Sequence, residues 1–312
     1  MDDRCVLNVS AASLPLLLFL LVATGPASSQ RSLCRVRDCP NYRTIRYYEE
    51  VGCVPSATAG NCCPTHFDCS FLLSLDRTKC HYEGKTYEPG ADISGVIKSV
   101  CTPVCSCFGL TEGPSRGEAR FSCASGGCAG YRIPEGKESF CYPTYKVDQC
   151  CGTGIKCAND TKSPLNVAEC PYKGKTYLEG QFIEGTQSEC MRCVCQKGYD
   201  GSLKEPWCRR QSCDYSLWWT VSQLQKCAPI FDEDDACCAH DYHCPSTDPI
   251  AVQHSESSTP NEGGQCAFGD HKLKIGDYFI SSGRDCIKCK CDTPPFITCV
   301  KVPVNYCPVA KK

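Results

Sequence analysis

Apolar residues are sparse along this chain, and their clearest concentration is at the start. Residues 14–22 read LPLLLFLLV, a run well short of the ~20 residues a helix needs to cross a bilayer. Small residues follow, and Ala27 and Ser29 fit the small-x-small cleavage rule. A secretory signal peptide over residues 1–29 is the expectation, although the leading MDDRC carries two acids and one base. No later stretch approaches spanning length. Downstream, the sharpest local pattern is a Gly-Lys pair between aromatics, as in Tyr82-x-Gly84-Lys85-x-Tyr87 and Tyr172-x-Gly174-Lys175-x-Tyr177. A glycine able to take φ > 0 there predicts a tight turn with a short strand on either side. Tyr, Thr and Ile around it suit a small twisted sheet. The stretches between these hairpins are poor in apolar residues and are expected to be irregular coil.

Composition explains how so little apolar surface could hold a fold. Of 312 residues, 33 are cysteine, and all but Cys5 lie beyond the signal segment, against 11 leucines from Arg31 onward. Cysteine at roughly 11% marks a disulfide scaffold made of small units, and excludes a fold built on one large aliphatic core. Net charge is −2, so neither nucleic acid nor an anionic membrane surface is an expected partner. Export places the chain where disulfides persist. Asn159-Asp160-Thr161 is a glycosylation sequon in a polar stretch.

The cysteines repeat. Cys80, Cys101, Cys105, Cys107, Cys123, Cys128, Cys141, Cys150, Cys151 and Cys157 recur in order as Cys170, Cys190, Cys193, Cys195, Cys208, Cys213, Cys227, Cys237, Cys238 and Cys244. Before them, Cys34, Cys39, Cys53, Cys62, Cys63 and Cys69 match the last six positions. After them, Cys266, Cys286, Cys289 and Cys291 match the first four, with Cys299 and Cys307 added. Each unit has an even count and can close internally, but spacing does not fix the pairing. The lead Cys-x-Tyr-x-Gly-Lys-x-Tyr-x2-Gly-x2-Ile, with Ile93 and Ile183, repeats with it and drifts to Phe268, Asp270, His271, Leu273 and Phe279 in the last unit.

This order resembles the von Willebrand factor type C (VWC) module of chordin-like and kielin-like secreted proteins. The resemblance rests on Cys-x2-Cys-x-Cys, Cys-Cys-x5-Cys and the Gly-x2-Tyr-x2-Gly lead. It implies small disulfide-rich, β-poor tandem modules, each a short antiparallel sheet followed by an irregular disulfide-pinned subdomain, elongated like beads on a string. The resulting layout is a partial module over 30–69, complete modules over 80–157 and 170–244, a flexible linker over 245–265 and a truncated module over 266–307. Many members of the family bind growth factors of the bone morphogenetic protein (BMP) and transforming growth factor β (TGF-β) class, and others are matrix proteins. The implied function is therefore a secreted protein that sequesters or presents such a ligand, gaining avidity from several modules. Tyr172, Tyr177 and Ile183 are candidate contacts in the best-preserved unit. Trp218 and Trp219 are further candidates, as large aromatics that serve either as a miniature core or as a hot spot. The alternatives are a matrix or structural protein and a peptidase inhibitor. The last unit loosely resembles pacifastin-type inhibitors, but Ile287 replaces their Asn and the first gap is too long.

Three chemical patterns are weighed and set aside. Cys237-Cys238-Ala239-His240-Asp241 resembles a secreted phospholipase A2 segment with His and Asp one position early, and a one-residue shift turns the side chain elsewhere. His240 and His243 near cysteines suggest zinc, but paired cysteine counts in an exported chain favour oxidation. Asp232 to Asp235 lacks the ligand spacing and turn glycine of a calcium loop. No catalytic, cofactor-binding or metal-ligating residue is expected.

Overall fold

The structure, a computed structural model, describes residues 38–56, 63–97, 100–102, 104–113, 115–124, 127–128, 130–137, 140–157, 167–232, 237–246, 249–254, 264–282 and 285–307. The signal segment, Cys34, Cys62 and Asn159 lie outside these residues. The first unit contains α1 (Tyr42–Glu50), β1 (Val54–Ser56), β2 (His66–Asp68) and α2 (Ser70–Leu73). The second contains β3 (Cys80–Tyr82), β4 (Lys85–Tyr87), β5 (Val104–Gly109), β6 (Ala119–Ala124), β7 (Cys141–Thr144) and β8 (Gly154–Cys157). The third contains β9 (Glu169–Tyr172), β10 (Lys175–Leu178), β11 (Met191–Cys193), β12 (Cys208–Arg210), α3 (Tyr215–Trp218), α4 (Val221–Lys226), β13 (Ala228–Phe231) and β14 (Asp241–His243). The fourth contains β15 (Gln265–Phe268), β16 (His271–Lys274), β17 (Tyr278–Ser282), β18 (Cys286–Lys290) and β19 (Thr298–Lys301).

The lead hairpins follow from their turns. Tyr82 pairs with Lys85 and Tyr172 with Lys175, leaving two-residue loops. Both residues of each loop have positive φ: Glu83 51° and Gly84 71°, Lys173 46° and Gly174 80°. A type I′ loop requires this, and its twist matches that of the flanking strands. The fourth unit keeps the loop length but reads Gly269-Asp270, with φ 58° at Gly269. That suits the II′ loop, where only the first central residue needs positive φ.

The structure supplies the pairing that spacing left open. Numbering the ten cysteines in order, the second and third units share one scheme. Positions one and four join (Cys80–Cys107, Cys170–Cys195), as do two and eight (Cys101–Cys150, Cys190–Cys237) and three and five (Cys105–Cys123, Cys193–Cys208). Six joins nine (Cys128–Cys151, Cys213–Cys238) and seven joins ten (Cys141–Cys157, Cys227–Cys244). The first unit repeats the last two bonds as Cys39–Cys63 and Cys53–Cys69. The fourth repeats one–four and three–five as Cys266–Cys291 and Cys289–Cys299. Its Cys286, at position two, bonds Cys307, which takes the place of the missing vicinal pair.

Small disulfide-pinned modules with short two-stranded antiparallel sheets are thus the architecture, with few helices. The second halves are more ordered than coil. Each has a hairpin, β1–β2, β7–β8 or β13–β14, and two carry helices. In α1, Thr44, Ile45, Arg46, Tyr47 and Tyr48 are all buried, so the middle of this amphipathic helix is enclosed while Glu49 stays exposed. α4 starts at a capping box in which Thr220 and Gln223 satisfy each other's exposed N–H groups.

The string is folded back on itself. One cluster joins Ile45, Tyr47, Tyr48, Phe67 and Leu72 of the first unit to Tyr215, Trp219, Leu224 and Phe231 of the third, with Phe296 and Val300 of the fourth against it. Strand β13 pairs in parallel with β19, so the fourth unit's sheet becomes five-stranded in the order β14-β13-β19-β18-β17. The first unit lacks a sheet-bearing half and the fourth lacks a second half, and each buries its open face on the other. The described residues accordingly belong to one compact unit, in place of separated beads. Part of the expected linker is docked too: Ile250 and Val252 pack on the fourth unit's core, and Gln253 exchanges two backbone hydrogen bonds with Tyr278.

Candidate ligand-contact surface

The sequence candidates fall into separate places. Ile183 has no exposed surface and Tyr177 is 8% exposed. With Cys170, Cys193, Cys195 and Cys208 they form the core of the third unit's first half. The Ile183 N–H donates to the Cys193 carbonyl, which fixes the side chain inward as strands alternate. A ligand reaches neither without opening the sheet. Tyr172 is half-buried at the edge of that cluster, with the Lys173 ammonium 5.3 Å from its ring centre. Trp218 and Trp219, in the same unit, lie apart from this cluster.

The Tyr215 to Trp219 segment acts as a wedge between units. Tyr215 and Trp219 enter the first unit's cluster, their rings 4.7 Å apart. Leu217 enters the second unit's cluster beside Tyr82, Ile93 and Phe121. Trp218 alone of the pair faces outward, at 45% exposure. Adjacent tryptophans thus split between core and surface: Trp218 is the last residue of α3, and Trp219, which follows it, is extended.

The patterns set aside in the sequence are occupied by structure. His240 lies 3.5 Å from Asp232, which also pairs with Lys301 at 3.3 Å; residues 233–235 lie outside the description. The His243 ring stacks on Phe268, centroids 5.4 Å apart, and burial lowers its pKa. Cys128, Cys150 and Cys151 lie close enough to hold a metal ion, yet all three sulfurs are in disulfides.

Sequence reasoning missed the polar residues that join the units. Arg192, the residue before the third cysteine, stacks over Phe182 at 4.7 Å and donates to the Gln149 and Cys150 carbonyls of the preceding unit. Burial lowers its pKa. Arg46, fully buried, pairs with Glu50 at 2.9 Å and donates to the Gln211 carbonyl; burial lowers its pKa while Glu50 opposes the shift. Gln225 donates to the Leu72 carbonyl, closing the end of α2. Nothing in the spacing distinguishes these from ordinary surface polar residues. Among the described residues, no helix is long and apolar enough to cross a membrane.

The chain is similar to human mucin-5AC, with 30% identity over 173 residues, covering 52% of this chain and 3% of that protein. It therefore spans only a small fraction of the length of the curated relative it matches. No family model matches the chain, and no solved structure does. With its density of disulfides, this is a cysteine-rich protein of extracellular type.

Proposed function

We propose that this is a secreted, non-enzymatic structural protein of the extracellular space, built from VWC-type modules. The observation that carries the reading is the packing of the described units: the first and fourth seal onto each other and onto the third. Of the residues a modular ligand trap would present, Tyr177 and Ile183 lie in the third unit's own core and this packing adds Trp219 to the buried set. The disulfide scheme repeated in the second and third units supports the module type. The similarity to mucin-5AC supports a cysteine-rich extracellular role over a specific growth-factor role. Each disulfide stabilises by about 2–4 kcal/mol, with poor additivity. The expected behaviour is secretion into medium, retention in deposited matrix, and collapse of both in reductant. Fractionating cell layer and medium after expression checks this. A soluble monomer that leaves the matrix entirely would refute it.

The second reading, capture of a BMP/TGF-β-class growth factor, is supported by the exposed Trp218. If it holds, Trp218→Ala lowers affinity for an immobilised BMP-class dimer at least tenfold. Wild-type protein that fails to bind the dimer removes this reading and leaves the first intact.

A further inference from the structure

One face of the sheet-bearing half can be followed through three units. Its outward positions are the second residue after the lead's last glycine (Gly90, Gly180 or Gly276), the residue before the third cysteine and the residue after the fourth. They are Asp92, Val104 and Phe108 in the second unit, Phe182, Arg192 and Gln196 in the third, and Tyr278, Lys288 and Asp292 in the fourth. The backbone confirms the equivalence: the Gly90, Gly180 and Gly276 N–H groups donate to the carbonyls of Cys107, Cys195 and Cys291, each at 2.8 Å.

In the third unit this face is covered by the second unit's hairpin. The Tyr145 N–H donates to the Gly180 carbonyl at 2.8 Å, and the Tyr145 ring stacks on Phe182 at 4.0 Å. In the fourth it is covered by residues 249–254, through the Gln253–Tyr278 pair, with Lys288 4.1 Å over the Tyr278 ring. All six positions there are half-buried. In the second unit all three are exposed, Val104 at 49% and Phe108 at 61%. A Cβ built on Gly180 meets Thr144 at 2.9 Å, whereas one on Gly90 meets nothing within 4 Å. Val104 and Phe108 alternate with buried Cys105 and Cys107, so they stand on one side of the strand.

We infer that this face of the second unit is a docking site for an extended segment of a different protein. That segment presents a backbone N–H to Gly90, an aromatic side chain to Val104 and Phe108, and a basic side chain to Asp92. The covered copies place a cation over an aromatic ring; this copy places a carboxylate beside aliphatic and aromatic surface, so the charge the partner must bring is reversed. Among the described residues, a second copy of this chain has no second half to lend: Tyr48 and Phe67 are seated on the fourth unit, Tyr145 on the third, and Tyr215, Leu217 and β13 among the first, second and fourth.

The chain's own Tyr145-Lys146 has the required chemistry, so a synthetic Tyr-Pro-Thr-Tyr-Lys-Val peptide is the probe. It is titrated into oxidised, 15N-labelled full-length protein and followed by amide NMR shifts. Saturable shifts are expected at Gly90, Val104 and Phe108, weakened at least tenfold in Phe108→Asp and when glutamate replaces the peptide's lysine, and unchanged in Trp218→Ala. These exposed substitutions leave the core intact. The absence of saturable shifts up to millimolar peptide overturns the inference, as does equal binding by Phe108→Asp. A concentration-dependent dimer in sedimentation, abolished by Phe108→Asp, would seat a second copy on the face and overturn the foreign partner.

Discussion

The complete units and the half-units are held together by different physics. In the second and third units, the bond from position two to position eight ties first half to second half covalently: Cys101–Cys150 and Cys190–Cys237. The halves at the chain's ends have no described disulfide between them, and the largest aromatic cluster lies there instead. Tyr48 stacks on Phe67 at 4.5 Å, and its hydroxyl accepts the Phe296 N–H at 2.7 Å and donates to the Thr293 carbonyl at 2.8 Å. Thr44 and Thr298 share a hydrogen bond, and Asn41 donates to Thr293. Where the covalent staple is missing, burial of large rings and satisfied buried polar groups replaces it. A disulfide-rich chain is therefore not uniformly indifferent to its apolar residues.

The sharpest way to break that contrast is Tyr48→Ala. Truncating a buried aromatic costs about 3–5 kcal/mol, and here it also strands the Phe296 N–H. Hydrogen exchange should show loss of protection over residues 38–69 and 266–307, while 80–128 stays protected by its own disulfides. Tyr48→Phe isolates the polar part and should cost about 1–3 kcal/mol. Equal loss of protection in all four units would show that the halves and the complete modules unfold as one body.

How far the sequence carries a reader follows from the same division. The covalent layer was legible: cysteine order defined four units, and the glycine of each lead turn announced its loop, Gly84 and Gly174 adopting positive φ. The non-covalent layer was not. Tyr47 and Tyr48 lie in a short helix, and nothing in its local pattern names the distant units that bury it. Strand β13 finds β19 from a distant part of the chain, a pairing no local pattern encodes. The candidates Tyr177 and Ile183 stood out because they recur, and they recur because each lead hairpin needs that core. Exposed Phe108, in contrast, interrupts a repeat position and was invisible without the covered copies beside it.

The junctions between units can be separated by glycine. Gly90 and Gly180 occupy one repeat position, with φ 96° and 93°. Alanine at either pays the backbone strain of positive φ, about 1–3 kcal/mol. Only at Gly180 does the new methyl strike Thr144 of the preceding unit, at 2.9 Å, adding about 1–3 kcal/mol of overpacking. Urea unfolding should rank Gly180→Ala below Gly90→Ala. Equal losses would mean that the second and third units yield at their contact without cost.

The smallest effect concerns the residue before the tenth cysteine. In the second unit it is Lys156, paired with Glu179 of the third across a partly exposed contact at 3.2 Å, so added salt is the lever there. In the third unit it is His243, stacked on Phe268 and near Phe279 of the fourth, and pH is the lever. Burial holds its pKa below the ordinary value of 6.5. The folded protein therefore resists a proton that the unfolded chain accepts, and stability is fully present above about pH 6.5. Below that it falls, by at most about 1.4 kcal/mol per pH unit for one proton, until the folded state also protonates. Comparing urea midpoints at pH 7.5 and 5.5 should show the wild type weakening more than His243→Phe, which keeps the stack without the titration. An identical pH response in both proteins would place the acid sensitivity elsewhere and leave the third–fourth junction as indifferent to pH as its neighbour.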